Sequence, residues 1–333
     1  SRSCVFMSRL LKAAHESWPL AQVFRISRGS KTAADVIVVE IAEDGLTGRG
    51  EAVPYPRYNQ TIDSSLAEIA AVRRAVEEGA ARHELITLMA PGAARNALDC
   101  ALWDLEAKMT GTPVWQLAGL EQPSDLVTAY TLSIDTPEAM GAAAAKNADR
   151  ALLKIKLDGE QVLERLGAVR AGAPKARMVV DANEAWSVDL LRAIGGDLAG
   201  LGVEMIEQPL PASDDAGLAG IDCPVILCAD ESCHGSDTVA ELTDRYGMVN
   251  IKLDKTGGLT EALALREAAM AAGLEIMVGC MVGTSLAMAP AMLVAQNARV
   301  VDLDGPLLMK QDREPGIAFD GNIMHPAPRD LWG

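Results

Sequence analysis

The sequence predicts an α/β protein built on a modified TIM barrel, (β/α)7β, with a separate α+β capping domain ahead of it. In the C-terminal half, short apolar runs end every 22 to 27 residues in a charged residue or a glycine. The end positions are Lys156, Asp181, Glu207, Asp230, Lys252, Gly279 and Asp302. One strand, one helix and two loops fill such an interval, and repeated units of this kind form a parallel barrel whose strand ends meet at one mouth.

The region before the barrel has a different order of elements. Residues 20–52 show the pattern of strand, loop, strand, turn and strand, with the turn at Glu43-Asp44-Gly45. Helices are predicted at about 61–79 and 92–110 from their apolar periodicity. Strands followed by helices indicate an α+β domain.

Eight apolar, often β-branched runs predict the barrel strands, and Ala- and Leu-rich segments between them predict the helices. The strands are expected at about 126–133, 151–157, 177–182, 203–207, 225–230, 247–253, 274–279 and 299–303. No full helix fits after the eighth strand. We therefore expect a capping domain over 1–122, a barrel over 123–309, and a tail, 310–333, that returns to the capping domain.

Composition excludes several classes of protein. A net charge of −16 without a basic stripe argues against a nucleic-acid partner. Residues 276–297 carry no charge, but they contain glycines and a proline and fall in phase with the repeat, which favours a buried strand and helix over a membrane span. The first residues lack a signal-peptide pattern and the six cysteines are scattered, so reduced thiols and a cytoplasmic location are expected.

A zinc site is the alternative interpretation of one cysteine-rich stretch. Its candidate ligands are Cys223, Cys228, Cys233 and His234. Their spacing is not typical of zinc motifs, and the first two bracket a predicted strand, so buried structural thiols are expected instead.

Two strands carry lysines that suit acid/base chemistry. Lys154 and Lys156 lie two apart on one strand and hence on one face, where repulsion between two ammonium groups would lower a pKa. Lys252 and Asp254 have the same spacing on the sixth strand, opposite the second strand in an eight-stranded barrel. Lys156 and Lys252 would then approach a substrate from opposite sides, as a 1,1-proton transfer requires. The alternative is a solvated edge strand with outward-facing lysines.

Three consecutive strands end in carboxylates: Asp181, Glu207 and Asp230. Each alone could cap the helix that follows, but three at converging strand ends indicate a metal site. Ligation by oxygen alone suits Mg²⁺, with Mn²⁺ as the alternative. Asn183 and Glu231 are close enough in sequence to support these ligands.

A further pair of carboxylates, Asp302 and Asp304, lies on the eighth strand. Two anions beside a metal site indicate recognition of a substrate cation, such as an ammonium group. Helix capping or salt-bridged loop acids are the alternative interpretation.

The motifs KxK, DAN, EQP, ADES and NIKLDKTGG, in this order, resemble the muconate lactonizing subgroup of the enolase superfamily over essentially the full length. Within it, Asp302-x-Asp304 and the stretches PYPRY and GAARNALDCALWDLEAK are similar to the dipeptide epimerases. The resemblance implies an enolase-like fold and Mg²⁺-dependent epimerisation of L-Ala-L-Glu and L-Ala-D-Glu through an enediolate. It also implies a role in recycling murein peptides.

The same resemblance implies roles for individual residues. Lys156 and Lys252 would be the paired acid/base catalysts, and Lys154 would tune Lys156 and neutralise the substrate carboxylate. Asp181, Glu207 and Asp230 would bind one Mg²⁺ per subunit, and Asn183, Glu231 and Asp254 would support these ligands. Asp302 and Asp304 would bind the substrate's ammonium group. Arg28 or, as second choice, Arg25 would bind the substrate's acidic side chain, and Thr131 would contact the substrate. The role of residues 282–285 stays open. A small dipeptide and a second copy of the chain, as a homo-oligomer, are the expected partners.

Two other reactions remain as alternatives. An o-succinylbenzoate synthase or cycloisomerase of the same superfamily would use the metal and the lysines, but would have less reason for the Asp302–Asp304 pair. A Schiff-base aldolase would need one lysine and no metal, which would leave the three carboxylates unexplained.

Overall fold

An antiparallel three-stranded sheet, in the order β1-β2-β3, begins the chain. Its strands are β1 (Leu10–Ile26), β2 (Gly29–Glu43) and β3 (Leu46–Ala52). The computed structural model describes residues 9–333, so residues 1–8, with Cys4 and the start of the predicted capping domain, lie outside the described part. The first strand begins at Leu10 rather than near residue 20, because Leu11 and Ala13 pair with Ile41 and Val39 of β2.

Helices cover one face of this sheet. They are α1 (Ile62–Glu77), α2 (Leu85–Leu88), α3 (Ala93–Thr110) and α4 (Val114–Leu117). Thr61 and Ser64 form a reciprocal capping box at the start of α1. On β3, Gly48 and Gly50 have no Cβ that could collide with the backbone of α3, so helix and strand pack closely. The two helices predicted here are confirmed within two residues.

Eight parallel strands form the second sheet, in the order β12-β11-β10-β9-β8-β7-β6-β5. They are β5 (Tyr130–Leu132), β6 (Leu152–Lys156), β7 (Arg177–Asp181), β8 (Val203–Glu207), β9 (Ile226–Ala229), β10 (Met248–Ile251), β11 (Glu275–Val278) and β12 (Val300–Val301). The amide of Ala129, just before β5, donates to Val301 O at 2.7 Å and brings the two edges of the sheet together. The predicted modified TIM barrel is confirmed.

The predicted first barrel strand, 126–133, is two strands. β4 (Leu126–Val127) pairs with β14 (Ile323–Met324), and β14 also pairs with β13 (Phe319–Asp320). Only β5 joins the barrel. Leu303 N donates to Thr128 Oγ1 at 2.9 Å, so a bond from a side chain takes the place of a ladder bond where the strand breaks.

Seven of the eight barrel helices lie between the strands, as the repeat predicts, and the last one follows the eighth strand. They are α5 (Pro137–Lys146), α6 (Val162–Gly172), α7 (Val188–Gly200), α8 (Val239–Leu242), α9 (Leu253–Thr256), α10 (Leu259–Ala271), α11 (Ser285–Ala295) and α12 (Gly305–Leu308). Between β8 and β9 there are only two 3₁₀ turns, Ala212–Asp214 and Ala216–Leu218. No described helix combines the length and apolarity needed to cross a lipid bilayer.

A layer of apolar side chains forms the floor of the barrel. Each of the eight strands contributes one residue, which lies in the strand or directly next to it. The layer consists of Ala129, Leu152, Val179, Met205, Cys228, Met248, Met277 and Val300. Parallel strands are buried on both faces, so these positions cannot be polar without a partner. The charged strand ends therefore lie above a dry apolar layer.

The N-terminal helices and the chain end pack on the barrel. Trp332 Nε1 donates to Cys100 O at 3.0 Å, which fixes the tail against α3. One residue before Cys100 on α3, Asp99 accepts from Thr260 N and Thr260 Oγ1 at 3.1 and 2.7 Å. Gly258, with φ +123°, lies directly against the Asp99 side chain and leaves no room for a Cβ. The turn after Lys252 is thus built around α3.

Substituting Gly258 by alanine should destabilise the protein by about 2–4 kcal/mol, because the backbone is strained for an L-residue and the new methyl meets Asp99. Urea denaturation measures this change. Gly167→Ala is the matched control: Gly167 lies inside α6 with open space at the Cβ position, so it should gain about 0.5–1 kcal/mol. Equal midpoints for Gly258→Ala and the parent would contradict the packing described.

Candidate active site

Three buried carboxylates meet at the mouth of the barrel. Asp181 ends β7, Glu207 ends β8 and Asp230 follows β9, and each is at most 1% exposed. One oxygen of each lies within 4.8 Å of the others. Within residues 9–333 this is the only set of three or more His, Cys, Asp or Glu side chains close enough to hold one metal ion, so the zinc alternative has no support there.

Each carboxylate has one oxygen fixed by a protein donor. Asn183 N donates to Asp181 Oδ1 at 2.9 Å, and Asn250 Nδ2 donates to Glu207 Oε1 at 2.7 Å. Lys255 Nζ lies 2.7 Å from Asp230 Oδ1 and also donates to two backbone carbonyls. The second oxygen of each carboxylate is therefore the one that can face a ligand.

These second oxygens point at three lysines. Lys154 Nζ lies 2.7 Å from Glu207 Oε2 and 3.3 Å from Asp181 Oδ2. Lys156 Nζ donates to Asp181 Oδ2 at 2.7 Å, and Lys252 Nζ donates to Asp230 Oδ2 at 2.6 Å. Lys156 and Lys252 thus contact the first and last carboxylates of the row, on strands that lie across the barrel from each other.

The pKa values of the lysines follow their carboxylate neighbours. Burial alone would lower the pKa of Lys154, but Asp302, Glu207 and Asp181 raise it well above its usual range. Burial likewise opposes charge on Lys252, yet Asp230 and Glu207 raise its pKa well above normal. Repulsion between the two lysines predicts a lowered pKa for at least one of them. The pKa of Lys154 is instead raised, because three carboxylates surround its ammonium group.

The donor set fits a divalent metal ion. Burial and the charge of Asp181 raise the pKa of Glu207 to about 8, which shows how strongly the carboxylates crowd one another. Glu207 Oε2 receives no well-directed hydrogen bond, although Lys154 lies near it. Buried oxygens of this kind suit a hard cation such as Mg²⁺ or Mn²⁺. The three carboxylates form a potential metal site.

Sequence reasoning missed Asn250 and Lys255. Asn250 lies two residues before Lys252, so the strand periodicity places both on the same face. Lys255 is the fourth residue of the segment Lys252–Lys255, where the chain turns into α9, and it is 2% exposed. The signal for Asn250 was a polar residue in an otherwise apolar strand, whereas Lys255 lies beyond that strand in α9.

The second carboxylate pair lies behind Lys154. Asp302 Oδ2 accepts from Lys154 Nζ at 2.7 Å, while the buried Oδ1 has no hydrogen-bond partner among the described residues. Asp304 Oδ2 accepts from the backbone N of Thr131 at 2.7 Å. Burial and Asp302 raise the pKa of Asp304 to about 7. The pair and Thr131 lie together, and the two aspartates concentrate negative charge at this point.

A cavity of about 370 Å³ lies between the barrel mouth and the N-terminal domain. Lys156, Lys252 and Asp230 line it from below, and residues of the loops 24–31 and 55–58 line it from above. The Asp302–Asp304 pair is not part of this lining, but both charges act on Cys280, which is part of it: burial, Asp302 and Asp304 raise the pKa of this thiol well above its usual range.

Arg28 faces this cavity, and Arg25 does not line it. Arg28 Nη1 donates to Glu231 Oε1 at 2.9 Å and to Asn183 O at 3.1 Å, and Nη2 donates to Tyr55 OH at 2.9 Å. Arg25 has a half-exposed side chain 3.7 Å from Asp135. Of the two arginines considered from the sequence, the geometry favours Arg28.

One predicted position lies elsewhere. Asp254 was expected beside the metal carboxylates, on the sixth strand, but it lies in α9 and accepts from Val53 N and Asn96 Nδ2 at 3.0 and 2.9 Å. Its side chain therefore joins the N-terminal domain to the barrel. The strand ends earlier than expected because the chain turns into this helix directly after Lys252.

The 282–285 loop is also fixed to the N-terminal domain. Thr284 N donates to Glu51 Oε1 at 2.7 Å, and the guanidinium of Arg313 donates to Glu51 Oε2 at 2.9 and 3.0 Å. Val282 lines the cavity. The loop thus forms one wall of the site and is held by a buried ion pair between Glu51 and the tail.

Comparison with known proteins identifies the family. The description "Mandelate racemase / muconate lactonizing enzyme, N-terminal domain" matches residues 9–119, and "Enolase C-terminal domain-like" matches residues 138–318. The chain belongs to the mandelate racemase / muconate lactonizing enzyme family of the enolase superfamily. The resemblance indicated by its motifs is confirmed.

Two curated relatives have the same sequence identity to this chain. The L-Ala-D/L-Glu epimerase of Escherichia coli is 46% identical over 319 residues, covering 95% of this chain and 99% of the relative. The N-acetyl-D-glutamate racemase of a Pseudoalteromonas species is also 46% identical, over 300 residues that cover 90% and 95%. Both names describe inversion at a carbon next to a carboxylate.

Solved structures show the same relationship. An enolase family member from Agrobacterium tumefaciens, described as having homology to dipeptide epimerases and solved with bound sodium and L-Ala-L-Glu, is 52% identical with a TM-score of 0.96. The match covers 98% of this chain and 100% of that one. A dipeptide epimerase from Methylococcus capsulatus, complexed with Mg and L-Arg-D-Lys, is 31% identical with a TM-score of 0.89 and coverages of 98% and 99%.

Added Mg²⁺ should stabilise the protein through the three carboxylates, by about 2.7 kcal/mol at a concentration 100 times Kd. Glu207→Gln should lose that gain. Its stability without added metal should fall, because the amide no longer carries the charge that lies 2.7 Å from Lys154 Nζ. Thermal unfolding with Mg²⁺ and with a chelator measures both effects.

Glu204→Gln is the matched control for this measurement. Glu204 lies on the same strand, β8, but pairs with Arg177 at the surface, so the variant should keep the full Mg²⁺ gain. An undiminished gain in Glu207→Gln would show that the ion binds elsewhere.

Proposed function

We propose that this protein is a Mg²⁺-dependent dipeptide epimerase that interconverts L-Ala-L-Glu and L-Ala-D-Glu. The observation that carries the proposal is the placement of Lys156 and Lys252, each buried, each bonded to an outer carboxylate of the row, and both facing one cavity. Inversion of a carbon needs a base on one side and an acid on the other. The Escherichia coli relative, named for this reaction, supports it.

A divalent cation on the three carboxylates supplies the Lewis acid that makes the proton next to a substrate carboxylate more acidic. The residues that move the proton belong to the chain. One lysine in its neutral form removes the α-proton, and the other, as an ammonium, donates a proton to the opposite side. The reverse reaction exchanges their roles, which is why both must be able to carry the proton.

Lys154 has a different role from Lys156 and Lys252. Its ammonium group lies between Asp302, Glu207 and Asp181 and keeps its charge, since these carboxylates raise its pKa well above normal. A fixed positive charge at this position stabilises the negative charge that develops on the substrate carboxylate when the α-proton leaves. We assign it to electrostatic stabilisation and not to proton transfer.

The two ends of the dipeptide are assigned by charge. The Asp302–Asp304 pair has an unpartnered buried oxygen, its charges act on Cys280 in the lining of the cavity, and a substrate ammonium would satisfy that oxygen. Arg28 faces the cavity with a guanidinium group that suits a side-chain carboxylate. Thr131 contributes by fixing Asp304 through its backbone amide.

Racemisation of N-acetylglutamate is the second candidate, because the Pseudoalteromonas relative is named for it at equal identity. An acetylated nitrogen carries no charge, so it brings no cation to Asp302 Oδ1 or to Asp304. The paired aspartates therefore favour a free amino terminus. The aldolase alternative needs one lysine and no metal, so it leaves the three carboxylates of the potential metal site without a role.

Location and assembly remain proposals. A cytoplasmic location is supported by the five cysteines within residues 9–333, none of which forms a disulfide. A homo-oligomer and a role in recycling murein peptides rest on the family relationship alone.

Exchange of the glutamate α-proton in D₂O, followed by NMR on L-Ala-L-Glu with Mg²⁺, tests the chemistry. The parent should exchange the proton and epimerise the dipeptide, and a chelator should stop both. Lys156→Ala and Lys252→Ala should each lose epimerisation by about a hundredfold or more, since neither leaves an acid/base pair. Each lysine faces one side of the α-carbon, so each variant should exchange at most one epimer, and the two should differ in which.

Lys146→Ala, an exposed change at the end of α5, is the control and should behave like the parent. No α-proton exchange in the parent, or exchange that a chelator does not affect, would reject the proposed mechanism.

Activity towards L-Ala-L-Glu and N-acetyl-L-glutamate separates the two candidate substrates. The parent should prefer the dipeptide, and Asp304→Asn should lower its kcat/KM for the dipeptide by about 10- to 100-fold, as expected for the loss of one charge-assisted contact. The same variant should leave activity on N-acetylglutamate unchanged or raised. A parent that prefers N-acetylglutamate would assign the chain to the second reaction.

A further inference from the structure

Glu184 connects both loops that cover the cavity to the barrel. Its carboxylate accepts from Arg57 twice, Nε to Oε2 and Nη2 to Oε1, each at 2.7 Å. Arg28 Nη1 donates to the same Oε2 at 3.2 Å. Arg28 belongs to the loop 24–31 and Arg57 to the loop 55–58, so one side chain of the barrel holds both. The sequence motifs alone give Glu184 no role.

The barrel presents Glu184 from a strained backbone. Asn183 has φ +43° and Glu184 has φ +71°, two consecutive left-handed conformations at residues other than glycine. Such positions cost free energy and persist only where the surroundings fix them. Here Glu184 N donates to Gln208 O at 2.9 Å, and Ala212 N donates to Glu184 Oε1 at 2.8 Å. The side chain is 10% exposed, and the bond from Ala212 N shows that the barrel itself orients the carboxylate towards the two arginines.

The contacts on Arg28 show what this arrangement does for the cavity. Nη1 is occupied by three acceptors: Glu184, Glu231 and Asn183 O. Nη2 uses one hydrogen on Tyr55 OH, which leaves its second hydrogen and the Nε hydrogen without a partner among the described residues. One side of the guanidinium is thus fixed to the barrel, and the remaining donors are free for a ligand.

From this geometry we infer that Glu184 is a positioning residue for substrate specificity. It holds the loop 55–58 through Arg57 and fixes Arg28 so that its free donors meet the acidic side chain of the substrate. The inference rests on the proposed epimerase function for its substrate, but the loop contact itself does not depend on any reaction. Glu184 acts through two arginines and touches no reacting atom.

Steady-state kinetics of Glu184→Gln on L-Ala-L-Glu tests the inference. Glutamine keeps the shape but loses the charge that holds both arginines, so KM should rise about tenfold or more while kcat stays within about threefold. Arg57→Gln should raise KM in the same direction. The double variant should be no worse than Glu184→Gln alone, because both changes remove one shared contact. Multiplying effects would overturn the inference, as would a fall in kcat at unchanged KM, which would place Glu184 in the support of Lys156.

Amide hydrogen exchange, measured without substrate, gives a readout that is independent of activity. In Glu184→Gln, peptides covering 24–31 and 55–58 should exchange faster than in the parent, and the barrel strands should not change. Glu204→Gln removes a comparable arginine pair, with Arg177, on the outside of the barrel and should change neither segment nor KM. Unchanged exchange in both loops of Glu184→Gln would overturn the inference. A parent inactive on both substrates would instead reject the proposed function, and the exchange rates of the two loops would then decide whether Glu184 holds them.

Discussion

The structure depends on burying charges of both signs at one end of an apolar barrel. Asp181, Glu207 and Asp230 are at most 1% exposed and lie above a layer of side chains without charge. Isolated charges in such a place would be prohibitively unstable, so each must lie against a partner. The lysines supply that partner, and the carboxylates in turn keep Lys154 and Lys252 protonated well above the usual range of their pKa. Site chemistry and fold stability are therefore one constraint.

The N-terminal domain takes part in this constraint. Asp254, two residues after Lys252, accepts from Val53 and Asn96, and Asp99 fixes the turn that follows. The ion pair between Glu51 and Arg313 fixes the loop after β11. The strand ends that carry the chemistry are thus held from above as well as from within the barrel.

Much of the fold could be predicted because its signals are local. Strand ends such as Asp181 and Glu207 follow apolar runs at regular intervals, and convergence at one mouth follows from parallel topology. The predictions that were wrong concern features that depend on tertiary contacts. Nothing in the alternation of 126–133 shows that β4 pairs with the tail, and the spacing of Asp254 from Lys252 does not show that the strand has already become a helix. Glu184 was missed because its role depends on arginines about 130 and 160 residues away in the chain.

The least satisfied part of the site indicates what it is built to receive. Asp302 Oδ1 is buried without a donor, and burial beside Asp302 raises the pKa of Asp304 to about 7. A site that only needed to invert a carbon could have ended the eighth strand with neutral residues. Retaining two adjacent acids in a buried position costs free energy unless a cation arrives to offset it. Lys154 offsets only one oxygen, since its ammonium is shared with Glu207 and Asp181. The remaining charge is complementary to an ammonium group and not to an uncharged acylated nitrogen, which is why we propose that the eighth strand selects a free amino terminus.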